Sequence, residues 1–268
     1  GDFGSRVVAN NDVINDGSTA DRWSGHGTHV SCTVLGDGNR GGYSGVAPAA
    51  DLYFQAMEND NTGNFQSPSL NSLLNSAYSA GARTHTNSWG NSGGFGQYSS
   101  ESRDADDRAS NYDRYYSGGE GLTILFAAGN DGPDPDTVTP PATAKNVVTV
   151  GMHQNRYQGA PDYIMQGSSR GPLDDGRIKP DVLAPGGYVW SCRAQEAADT
   201  GGWGQGQGQQ AGPIKVIPVR KLFFMIKACS SLKLLVTANK PFSPSLRIKF
   251  LYFASCFNFL VNSLIAES

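Results

Sequence analysis

The chain has 268 residues, enough for one large domain or two small ones around a sizeable core. It holds 34 glycines and only 17% charged residues, which suits a loop-rich α/β protein or an all-β domain and argues against a helical bundle. The net charge of −3 is unevenly spread: residues 1–200 carry 13 Lys and Arg against 23 Asp and Glu, residues 201–268 carry 8 against one, so the larger part repels polyanions and excludes a nucleic-acid partner.

Neither a charged-then-apolar leader nor an initiator Met opens the chain at Gly1-Asp2-Phe3-Gly4, which reads as the interior of a longer protein. "WSGHGTHVSC" (Trp23–Cys32) sets a histidine between two glycines, and Thr28 to Leu35 reads as a small-residue helix beside it. "ADLYFQA" (Ala50–Ala56) reads as a buried strand. "SPSLNSLLNSAYSAG" predicts a helix with Ser67 as N-cap, Pro68 at its first position and Gly81 just past its end. "RTHTNSWG" is the next strand, and Glu101–Tyr116 a polar, solvent-facing helix. "GLTILFAAGN" is a near-continuous apolar run, as in a parallel sheet covered on both faces. "NVVTVG" and "PDVLAPG" are two further short strands. Strands alternating with helices predict a doubly wound α/β domain.

Beyond about residue 200 the character changes. Residues 205–213 are a Gly/Gln-rich linker by composition, and residues 214–268 form a basic, apolar tail that reads as foreign to the domain, in the manner of translated intron or frame-shifted sequence. Its last apolar run, Phe250–Ala266, is 17 uncharged residues; Asn258 and Asn262 interrupt it, and a membrane span is not expected. The four cysteines (32, 192, 229 and 256) show no CxxC spacing, and their pairing is left open.

His26 is the first candidate catalytic residue. General-base catalysis needs one imidazole nitrogen free and the other held, and Gly25 and Gly27 let backbone and substrate approach. His29 and Cys32 follow at three-residue steps, so a His26-His29-Cys32 metal site is a rival reading; no acid on that helix completes its shell, and core packing of His29 is the better expectation. "AAGNDG" (Ala127–Gly132) presents Asn130 at the carboxyl end of a strand, where open parallel sheets place their sites; its amide can donate to a developing oxyanion. "GSSRG" (Gly167–Gly171) matches a G-x-S-x-G nucleophile elbow at Ser169, but that order needs a histidine after the serine, and all four histidines precede it.

Together these segments resemble the subtilisin-like serine proteases (subtilases). "GHGTHVSCTVLG" is similar to that family's histidine motif, "TNSWGN" to its substrate-binding strand, "FAAGNDG" to its oxyanion segment, and "GSSRGPLDDGRIKPDVLAPG" to the run leading toward its serine. The resemblance covers residues 1–204 and implies a three-layer α/β fold with a mostly parallel central sheet, truncated. It implies His26 as general base and Asn130 as oxyanion donor. Ser88, Trp89 and Gly90 would pair with substrate backbone by strand addition, and Ala127, Ala128 and Gly129 would wall the primary specificity pocket. The implied partners are protein or peptide substrates, and the implied location is extracellular. No cofactor is expected; calcium is frequent in the family, but the sequence offers no ligand motif for it.

Two motifs of the resemblance are not found. The family carries an apolar strand ending in Asp-Thr-Gly or Asp-Ser-Gly ahead of its histidine, and Asp2, Asp12, Asp16 and Asp21 do not fit it. Its Gly-Thr-Ser nucleophile motif occurs nowhere in the 268 residues. The expectation is a serine endopeptidase by resemblance whose 268-residue form is inactive. The alternative is a non-catalytic protein that binds extended peptides.

Overall fold

A computed structural model describes residues 2–39, 44–110, 121–154, 163–187, 189, 191–194 and 196–197, together with the backbone of 223–227. After a 3-10 turn at Gly4–Arg6, the elements are β1 (Val7–Asp12), α1 (His26–Leu35), β2 (Asp51–Ala56), α2 (Leu70–Ser79), β3 (Thr84–Asn87), α3 (Ser100–Ala109), β4 (Thr123–Ala127), β5 (Val148–His153), β6 (Val182–Pro185) and β7 (Phe223–Lys227).

The strands build one sheet in the order β1-β2-β7-β3-β4-β5-β6. β1 and β2 pair in parallel, as do β3, β4, β5 and β6 in succession. β7 lies between β2 and β3 and runs against both, with Tyr53 and His85 opposite Met225. The sheet is therefore parallel except for that one strand.

Alternation along β2 creates the layers. Leu52 and Phe54 pack with Val30, Val34 and Leu35 of α1. Tyr53, between them, packs on Ala77 of α2, and the Gln55 side-chain amide donates to Leu73 O and Ser76 Oγ of the same helix. Successive strand residues point to opposite faces, so α1 covers one face and α2 the other. The larger core lies on the α2 side, where Leu70, Leu73 and Leu74 meet Ala105 of α3, Ile124 and Phe126 of β4, and Trp89.

The elements differ from the sequence reading in instructive ways. α2 starts at Leu70 behind Ser69 rather than at Pro68; the Ser67 hydroxyl donates to the Pro68 carbonyl, so it does not cap. Gly81 stands past the helix end at φ +95°, where the sequence put it. α3 is polar but not simply solvent-facing. Ser99 and Ser102 form a reciprocal capping box, and Asp106 is buried. Its carboxylate accepts from Tyr98 Oη at 2.8 Å and from the backbone N–H groups of Lys145 and Asn146 at 3.0 and 2.5 Å. The rest of the expected helix, the linker, and the tail apart from 223–227 lie outside the described residues.

Cys32 of α1 is bonded to Cys192, across 160 residues of sequence. The same helix holds the segment after β6 through polar contacts. His29 Nε2 donates to Val189 O at 3.2 Å, Thr33 Oγ1 donates to Ser191 Oγ, and Ser191 Oγ donates to His29 O. Residues 192–194 and 196 wall a cavity of about 520 Å³ whose other sides are α1, β1, β2, Asp2, Phe3 and residues 19–21. No described helix is long and apolar enough to cross a membrane.

Candidate active site

α1 begins at His26 itself, behind Gly25 at φ +66°, a left-handed backbone that a side chain would strain. Two acids hold the turn that delivers it. Glu58, just past β2, accepts from Trp23 N at 3.0 Å and Ser24 Oγ at 2.8 Å. Ser24 Oγ in turn accepts from His26 N. Asp21 accepts from Thr28 N at 2.7 Å, satisfying one of the first donors of the helix. Burial pushes Asp21 up to about 6, with the negative charge of Glu58 adding to the rise and the helix N–H groups opposing it. The sequence reading set Asp21 aside as no match to the family's Asp motif and passed over Glu58; an acid a few residues ahead of a helix start was the available signal for Asp21.

His26 is buried. Desolvation drives its pKa down to about 4, against a hydrogen bond to the Ser88 backbone that favours the charged form. Near neutral pH the imidazole is uncharged, the state a general base requires. The Ser88 contact fixes its location at the carboxyl end of β3.

Asn130 follows β4, the parallel neighbour of β3. Both residues thus stand at the same edge of the sheet, the edge where open α/β sheets bind ligands. The Asn130 loop is pinned by Ser169. Its hydroxyl is fully buried and accepts from Asp131 N at 3.0 Å, while Ser169 N donates to Gly129 O at 3.2 Å. A Cβ at Gly129, where φ is +114°, would come within 2.7 Å of Ser169 Oγ, so glycine lets the two segments touch. Ser169 holds the loop and is turned away from solvent, which explains the G-x-S-x-G match without a nucleophile. Ser169→Ala removes the acceptor of Asp131 N and is expected to cost about 1 kcal/mol in urea unfolding. Unchanged stability would show that the hydroxyl does not hold the loop.

The segment 88–90 leaves β3 beside His26. The Trp89 indole faces inward, tilted against Phe65 and edge-on to Phe126 with centroids 5.7 and 5.6 Å away, and Nε1 donates to Asn87 Oδ1. Its side chain therefore serves the core. Asn91 N is already committed to Pro140 O. Ala127 closes β4, Ala128 is buried in the core, and Gly129 begins the Asn130 loop.

The His26-His29-Cys32 metal reading is not assembled: the Cys32 sulfur is bound in the disulfide and His29 Nε2 is turned to Val189 O. Among the described residues, one group of potential ligands converges, Asp2 with Cys32 and Cys192.

A model of the subtilase family matches residues 2–212. The chain is 30% identical over 205 residues to the serine protease AprX of Bacillus subtilis (strain 168), covering 72% of this chain and 45% of that protein. It is 29% identical over 189 residues to a subtilisin of Bacillus sp. (strain TA39), covering 65% of this chain and 41% of the relative. It thus spans less than half of these curated relatives. Among solved structures it is similar to Sphericase, with a TM-score of 0.52 and 26% identity over 73% of this chain and 60% of that one. It shares the fold of the patellamide maturation protease PatA, with a TM-score of 0.53 and 21% identity over 79% of this chain and 66% of that one.

Proposed function

The chain belongs to the subtilase family of serine proteases, and from that premise we propose that residues 2–212 carry the general-base and substrate-binding parts of an endopeptidase that acts on protein or peptide chains. The observation that carries this reading is the neutral, buried His26 held at the start of α1 against the Ser88 backbone. In this reading His26 takes the proton of an attacking hydroxyl. The backbone of Ser88, Trp89 and Gly90 pairs with extended substrate. Ala127, Ala128 and Gly129 wall the pocket for one substrate side chain, and the Asn130 amide donates to the oxyanion as the carbonyl carbon becomes tetrahedral.

No Gly-Thr-Ser motif occurs in the 268 residues, and Ser169 is a structural pin. In this reading the 268 residues bind extended peptide without cleaving it. Treatment with a fluorophosphonate probe, which labels a serine activated by a base, tests this directly. We expect no labelling and no release of chromophore from a generic peptide anilide. Labelling that disappears in His26→Ala would overturn the reading, because it would reveal a working nucleophile.

The Cys32–Cys192 disulfide supports an extracellular location, since such bonds persist in oxidising compartments.

A further inference from the structure

Cys32 and Cys192 do more than meet each other. The Asp2 carboxylate lies against them, with Oδ2 3.3 Å from Cys192 Sγ. The two sulfurs and a carboxylate oxygen all fall within 4.8 Å of one another. In a tetrahedral zinc site with Zn–S near 2.3 Å and Zn–O near 2.0 Å, ligand atoms stand roughly 3.4–3.8 Å apart. Two thiolates and one carboxylate at this spot therefore need only small side-chain movements to share one cation.

Access also fits. Asp2 and Cys192 line the cavity of about 520 Å³ beside α1, whereas Cys32 is buried behind them. A reductant can reach Cys192 from the cavity, and the cavity leaves room for a water as fourth ligand. Once the disulfide is opened, two thiols face a carboxylate. Ionising both without a cation would crowd three negative charges together, so the reduced cluster favours a divalent metal over the bare thiolates.

We infer that Asp2, Cys32 and Cys192 form a redox-gated site for a thiophilic divalent cation, zinc by preference, which is closed in the disulfide form and open after reduction. The balance is simple. A dithiol reductant gives two electrons and two protons to the S–S bond and leaves as its own cyclic disulfide; the two protein thiols then bind Zn²⁺ and release two protons. Metal and disulfide are thereby alternative clamps between α1, which carries His26, and the segment after β6.

The test uses the full 268-residue chain with Cys229→Ser and Cys256→Ser, so that only this pair of cysteines remains. After anaerobic reduction and desalting, Co²⁺ is titrated and the thiolate-to-cobalt charge-transfer band is followed, with Zn²⁺ then displacing it. One equivalent is expected to bind the reduced chain and none the oxidised chain. Cys192→Ser is expected to abolish the band, and Asp2→Asn to weaken binding at least roughly tenfold. A second readout is alkylation of Cys32 and Cys192 followed by mass spectrometry, where zinc should protect both thiols together. The inference fails if the reduced chain shows no band and no protection, including through unfolding that zinc does not reverse. It also fails if Asp2→Asn binds as tightly as the parent.

Discussion

Acidification from pH 7 to about pH 4 is expected to unfold the chain. Three histidines drive the effect. His26, His29 and His85 are buried, and desolvation holds their pKa values at about 4, 3 and 3 against an ordinary 6.5. In the unfolded chain all three take protons as pH falls through 6.5, while the folded chain refuses them. Their contribution is fully present above pH 6.5 and is lost as pH falls toward the folded values. Three protons give a slope of about 4 kcal/mol per pH unit once the unfolded histidines are charged. Asp21 works the other way. Its folded pKa of about 6 lies above the ordinary 3.8, so the folded state gains a proton first, and between those values it offsets about one proton of slope. The net loss of about 3 kcal/mol per unit exhausts a typical stability of about 5–15 kcal/mol within a few units. Urea unfolding followed by circular dichroism at a series of pH values measures the slope. His85→Gln should lower it by about one proton, or about 1.4 kcal/mol per unit. A stability that stays flat down to pH 4 would show that the histidines are already charged in the fold.

Reduction of Cys32–Cys192 is the second large effect. The bond closes a loop of 160 residues of sequence, and the entropy it removes from the unfolded chain corresponds to about 5 kcal/mol. At the usual dependence for a domain of this size, the melting temperature falls by about 10–20 °C. Scanning calorimetry with and without a phosphine reductant, in the background lacking Cys229 and Cys256, reads this directly. Equal melting temperatures would mean that the segment after β6 is held by its polar contacts alone.

Much of the central sheet was legible because its strands are apolar runs. β2, β3, β4 and β6 each fall inside the stretch that the sequence marked, while β5 runs two residues past its stretch, to His153. β1 was not legible. Its residues, Val-Val-Ala-Asn-Asn-Asp, are exposed or half-buried, so neither alternation nor a continuous apolar run marks them. β7 lies within a stretch read by composition as foreign, and its pairing partners are distant in sequence. Asp106 looked like one acid in a polar helix because its partners, Tyr98 and the 145–146 backbone, come together only in the fold. At the site, the Gly-His-Gly pattern pointed to His26, and the strand-end Asn pointed to Asn130. The part the acids play in the His26 turn was not read: Asp21 was weighed only as the family's Asp, whereas it acts through a backbone donor, and Glu58 lies more than thirty residues away. The cysteine pairing could not be chosen, since four cysteines allow three connectivities.

The margins of the sheet bear on how copies of this molecule meet one another. β1 is an outer strand, and Val8 leaves 55% of its surface to solvent. A row of free backbone donors and acceptors beside such residues is a template for strand-to-strand aggregation. Here the row is interrupted. The register slips between Val7 and Ala9. The Asn10 and Asn11 amides fold back onto Thr19 Oγ1 and Phe54 O, and the Asp12 carboxylate is taken up by the N–H groups of its own following turn. At the opposite margin β6 ends on Pro185, which has no N–H to give. Among the described residues neither border offers a second sheet an unbroken ladder to extend, a feature that works against copies fusing edge to edge.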